Sequence, residues 1–122
     1  MTPKPYNLKE KLSQFSDQWS PKIVGEMDGF QFKLAKLDGD FVWHCHRDTD
    51  EAFLVIHGSL RIDFRDGEVE LQEGDMVIVP KGVEHKPYAE EECHVMILVR
   101  EGTVNTGDTS PSALTADPRA RI

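Results

Sequence analysis

From Lys22 to Glu101 the apolar residues come in short bursts separated by glycine-bearing polar dipeptides. The bursts are "FQFKLAKL" (30–37), "AFLVIHG" (52–58), "SLRIDF" (59–64), "EVELQ" (68–72), "DMVIVP" (75–80) and "HVMILVR" (94–100). They are rich in Val, Ile, Leu and Phe, side chains that suit a pleated, half-buried surface. Asp28-Gly29, Asp38-Gly39, His57-Gly58, Asp66-Gly67, Glu73-Gly74 and Lys81-Gly82 supply the turns. Many short strands with such punctuation predict an all-β sandwich or barrel. Residues 1–21 read differently: Asn7 can cap a helix, and Leu8, Leu12, Phe15 and Trp19 recur at helical offsets until Pro21. Residues 102–122 lose periodicity and fill with Thr, Ser, Pro and Asp. The predicted organisation is an N-terminal helical arm (1–21), a β-barrel (22–101) and an extended C-terminal tail (102–122).

Composition narrows the classes. The 122 residues make one domain, 39% hydrophobic and 30% charged, as expected of a soluble globular chain. No run approaches the roughly 20 apolar residues of a membrane span, and "MTPKPYNLKEKL" lacks the apolar segment of a signal peptide. A cytoplasmic protein without a membrane partner is expected. Cys45 and Cys93 are too few for a disulfide framework and read as buried thiols. A net charge of −8 with no basic block argues against nucleic acid.

The chemistry concentrates in "WHCHRDTDE" (43–51). In a strand, residues two apart share a face, so His44 and His46 point together and Cys45 points away. "RDTD" reverses the chain and brings Glu51 beside them. Two neutral imidazoles and a carboxylate suit a divalent transition metal. Asp50 is a substitute ligand of opposite strand parity. In "GDMVIVPKGVEHKPY" (74–88), Pro80 ends a strand, Gly82 permits a tight turn, and His85 can supply a third imidazole. Four protein ligands would leave an octahedral ion two positions for water or substrate.

These spacings resemble the cupin superfamily. Gly39, His44, His46, Glu51 and Gly58 match its first motif, and Gly74, Pro80, Gly82 and His85 its second. The chain departs twice: the Gly39–His44 spacer is one residue short, and Ala89 stands where an asparagine often ends the second motif. The resemblance implies a small jelly-roll barrel with a central metal held by His44, His46, Glu51 and His85. It implies one divalent ion per chain: iron, manganese, zinc, nickel, cobalt or copper. It also implies dioxygenase, isomerase or lyase chemistry on a small polar metabolite, or else non-catalytic binding or sensing of a ligand in the barrel.

The remaining candidates follow from parity. Tyr88, just after His85, is the candidate proton donor. His57 reads as a solvated turn residue, and His94 as a strand-start histidine. Phe30, Phe32 and Leu34, taken as the core face, put Lys33 on the surface. Phe41, Trp43 and Cys45 lie opposite the histidines and need a cover. The helix face or a second subunit could supply it; because cupins commonly dimerise through such faces, a homodimer is expected.

Overall fold

In the computed structural model, which describes residues 1–122, one short helix precedes seven strands. They are α1 (Leu8–Leu12), β1 (Lys22–Met27), β2 (Phe30–Asp40), β3 (Glu51–His57), β4 (Leu60–Phe64), β5 (Gly67–Leu71), β6 (Met76–Val79) and β7 (His85–Arg100). The sheet runs β1-β2-β7-β3-β6, with β4 joining β7 to β5. Every strand pairing is antiparallel. This is the all-β jelly-roll barrel expected.

β7 organises the closure. Its 16 residues would span about 50 Å if straight, more than a domain of this size can hold. One edge follows β2, while the other pairs with β4 at His85–Tyr88 and with β3 at His94–Leu98. Register shifts at Leu37/Gly39 and Val55/His57 mark where the ladders bend. Asp38-Gly39 therefore lies inside β2, with Gly39 at φ 77°, where the register breaks opposite Glu90, Glu91 and Glu92 of β7, rather than at a turn. Asp28-Gly29 does form a hairpin turn, both residues at positive φ.

Side chains alternate in and out along β3 and β7. Val55, Ile62, Val79 and Val95 are fully buried between the walls. Each such side chain contributes about 1.5–3 kcal/mol by leaving water.

Three expectations about faces are corrected. On β2, Gln31, Lys33, Ala35 and Leu37 point into the barrel, and Lys33 is only 4% exposed. The outer face carries Phe32 and Leu34, which pack with Leu8, Leu12, Phe15 and Val24. The apolar residues of the N-terminal arm thus select the opposite face of β2 from the one hydropathy suggested. Secondly, the helix stops at Leu12, capped by Ser13, and Trp19 leaves its face. Trp19 takes φ 55° and enters the barrel, its indole N–H donating to the Asp38 carbonyl at 2.9 Å. Thirdly, residues 41–50 form no regular strand, so strand parity fails there. Phe41 turns inward and stacks on Trp19 at 4.5 Å. Trp43 lies under the Arg65 guanidinium at 3.9 Å.

The cover over Cys45 comes from the chain's own C-terminus. Asp108 accepts a hydrogen bond from the Cys45 backbone N–H at 2.9 Å, and the Thr109 hydroxyl donates to the Trp43 carbonyl at 2.9 Å. Farther on, Ile23 and Arg121 form a parallel bridge. Residues 102–122 are a strap along the barrel, with Thr106 fully buried. No helix is long and apolar enough to cross a membrane.

Candidate metal centre

His44 and His85 come from segments 41 residues apart but face each other across an antiparallel bridge. Each backbone N–H donates to the other's carbonyl, at 3.1 and 2.9 Å. The Gly82 N–H donates to the His46 carbonyl at 2.8 Å, with Gly82 at φ 81°, a conformation that favours glycine. Glu51 opens β3 with inward parity. Side-chain nitrogens or oxygens of His44, His46, Glu51 and His85 lie within 4.8 Å of one another, and all four residues are buried. The structure therefore brings together the four residues singled out from spacing alone.

Backbone contacts orient the rings. His44 Nδ1 and His85 Nδ1 each lie 2.9 Å from a carbonyl, those of Val42 and Val83. A carbonyl only accepts, so Nδ1 carries the proton and Nε2 turns to the centre. His85 Nε2 is 3.0 Å from Glu51 Oε1. His46 Nε2 lies 3.4 Å from the same oxygen, buried and without a hydrogen-bond partner.

The electrostatics match a cation-shaped gap. Burial raises the Glu51 pKa, but the neighbouring His46 and His85 outweigh it and hold the carboxyl at about 2. Burial, with the neighbouring His85, pushes His44 down to about 4. For His85 burial works downward too, yet Glu51 wins and the pKa rises.

A cavity of about 40 Å³ adjoins this cluster. His44, Glu51, Lys33, Phe41, Phe53 and Trp19 line it, with Thr103 and Asn105 of the C-terminal strap. Trp19 and Phe41 were missed as cavity residues, and Lys33 was assigned to the surface. The available signal was the common parity of Lys33 with Ala35 and Leu37 on β2.

Other candidates lie elsewhere. Tyr88 has the opposite parity to His85 and packs its ring under Arg61 at 4.5 Å, outside the cavity. Asp50 is exposed and accepts a hydrogen bond from the Lys81 N–H at 2.9 Å. His57 is exposed beside Glu73, as expected of a turn residue. His94 is held by Glu92 at 2.9 Å.

A family model described as "Cupin domain" matches residues 31–100. The "Uncharacterized protein YdbB" of Bacillus subtilis (strain 168) is 38% identical over 80 residues, 65% of each chain. The match thus spans slightly under two thirds of that relative. A cupin-2 domain containing protein from Shewanella frigidimarina NCIMB 400 is 54% identical, covering 76% of this chain and 91% of that one, with a TM-score of 0.75. Protein NMB1881 from Neisseria meningitidis is 37% identical, covering 80% and 99%, with a TM-score of 0.72.

Proposed function

The chain belongs to the cupin domain family, and from that premise we propose that it is a metal-dependent cupin acting on a small polar metabolite. His44, His46, Glu51 and His85 would hold one divalent transition ion per chain. The observation that carries this reading is His46 Nε2, a buried ring nitrogen left without a partner beside a carboxylate. An unpaired buried polar atom is costly, and an ion satisfies it together with its three neighbours. The donor set, three imidazoles and one carboxylate, suits iron, manganese, zinc, nickel, cobalt or copper.

A bound ion would polarise a carbonyl or hydroxyl, or bind dioxygen, which gives dioxygenase, isomerase or lyase chemistry. The chain's own residues orient the ligands through Val42 and Val83 and shield the site from water with Trp19, Phe41 and Phe53. A second reading, binding or sensing without turnover, is favoured by one observation. Tyr88, the expected proton donor, faces away from the cavity.

The proposal includes a homodimer, though on a new surface. Cys45 is already covered by the strap. β6 ends the sheet path and exposes Met76 at 62% and Ile78 at 57%. An apolar sheet edge of this kind is a natural pairing surface for a second copy. The free thiols suit the cytoplasm.

Elemental analysis of untagged protein tests the metal reading. About one ion per chain supports it; iron or copper directs the search to oxygen-consuming reactions, and zinc, manganese or nickel to isomerase and lyase substrates. Protein purified without metal that also fails to take up any of these ions overturns it.

A further inference from the structure

Lys33 plays no part in the metal reading, yet it lines the same cavity as Glu51 and His44. Its Nζ donates to two neutral acceptors, the carbonyls of Thr103 at 3.1 Å and Pro118 at 3.5 Å. Glu51 is paired with His85 at 3.0 Å instead. An ammonium carries three N–H donors, so one remains uncommitted. Lysine is rarely this buried without a carboxylate in hydrogen-bond contact.

The other side-chain donors of the cavity wall, outside the histidine–glutamate cluster, are spent. The indole N–H of Trp19 goes to Asp38. The Thr103 hydroxyl donates to the Arg100 carbonyl. Both amide hydrogens of Asn105 are used, by the carbonyls of Trp19 and Leu114, and its oxygen accepts from Ala116. Lys33 therefore holds the free donor of this cavity.

Charge points the same way. Lys33 and Glu51 cancel, the neutral histidines add nothing, and a divalent ion leaves two positive charges in a narrow, largely apolar space. Such a site calls for an anionic ligand. One free donor suits a carboxylate better than a phosphate, which needs several. Phe41, Phe53, Leu37, Ile97 and Val99 offer apolar walls to the rest of the molecule.

We propose that Lys33 is the anion anchor of the barrel, and that the ligand is a small carboxylate with a compact apolar body. The ammonium takes the carboxylate with its uncommitted N–H and keeps its contacts to the Thr103 and Pro118 carbonyls. The cavity has room for only a few water-sized groups, which favours a short carboxylate. The charge argument rests on the metal reading; the Lys33 contact does not.

The test is calorimetric titration of the full chain with acetate and benzoate, using acetamide and benzamide as neutral controls. Metal content is measured on each preparation. Wild type should bind at least one carboxylate saturably and its amide about tenfold more weakly or worse. Lys33→Met should lose about tenfold or more in carboxylate affinity at unchanged metal content, and Lys33→Arg should retain part of it. Equal carboxylate binding by wild type and Lys33→Met overturns the proposal. Equal binding of acid and amide by wild type, or no carboxylate binding at all, overturns it without recourse to a variant. Carboxylate binding that depends on Lys33 in protein unable to hold metal upholds the anchor while the metal reading fails. Full metal content with carboxylates indifferent to Lys33 gives the reverse.

Discussion

Acidification of the metal-free protein tests the buried cluster directly. His44 is buried, and its pKa falls from the ordinary 6.5 to about 4, first through desolvation and then through its neighbour His85. Once the pH drops below 6.5, the unfolded chain takes up a proton at His44 that the folded chain refuses. The stability contributed by this group is complete above 6.5 and is lost as pH falls through about 4. The slope is about 1.4 kcal/mol per pH unit for one proton, so descending from 6.5 to about 5 removes roughly 2 kcal/mol. That is a substantial part of the 5–15 kcal/mol typical of a domain. His85 has the opposite sign. Its raised pKa stabilises the fold below 6.5, and that contribution is lost only as pH rises through the folded value. It adds little slope on the acid side. Glu51 enters lower, its contribution vanishing from 4.5 toward about 2. Urea unfolding in chelator at fixed ionic strength, at pH 6.5 and about 5, should show the loss in wild type and most of it abolished in His44→Gln. A flat wild-type profile, or the same loss in both proteins, refutes the account of His44 as a neutral, desolvated ring.

The remaining predictions are shorter. His46→Ala should lower metal per chain and the thermal midpoint of metal-loaded protein, while the chelator-treated pair converge; an ion at a thousandfold its Kd stabilises by about 4 kcal/mol. Unchanged metal content in that variant removes His46 from the ligand set. Tyr88→Phe keeps the ring under Arg61 and should leave metal content and any turnover unaltered; a tenfold fall in turnover with metal retained would return the phenol to the reaction. Gly107→Ala places a Cβ against the Cys45 carbonyl at φ 58°, which should cost about 2 kcal/mol or more and speed proteolysis of the strap; an unshifted urea midpoint contradicts the close approach. Ile78→Glu should convert a dimer to monomer by light scattering, and a monomeric wild type would dismiss the β6 interface.

Some of this fold was legible in the chain because its cause is local. "AFLVIHG" and "HVMILVR" alternate at period two, and both are strands with that alternation. The first half of β7 was harder to read. "KPYAEEEC" carries a proline and three glutamates, yet it is held in register by β4 and by the end of β2. Asp38-Gly39 has the letters of a turn, and only the pairing of β2 with β7 on both sides of it keeps it inside a strand. The N-terminal arm was read as a longer helix because Phe15 and Trp19 keep helical spacing. Phe15 still packs beside Leu12, but Trp19 follows the backbone into the barrel.

The site divides along the same line. Its four ligand candidates were visible because their spacing sits in two short segments, each with its own turn chemistry. The cavity walls were hidden because they depend on which face of β2 the rest of the chain covers. A lysine between Phe32 and Leu34 reads as a surface residue, since hydropathy assigns the large apolar face to the core and burying an ammonium is expensive. That assignment fails when two other conditions hold. The phenylalanine face must find another apolar cover, which Leu8, Leu12 and Phe15 provide. The ammonium must find acceptors, which come from Thr103 and Pro118, 70 and 85 residues away. Neither condition leaves a local pattern. An inverted face maintained at that cost needs some offsetting gain. In this barrel the inversion places a cation with a free donor in the cavity beside the histidine–glutamate cluster.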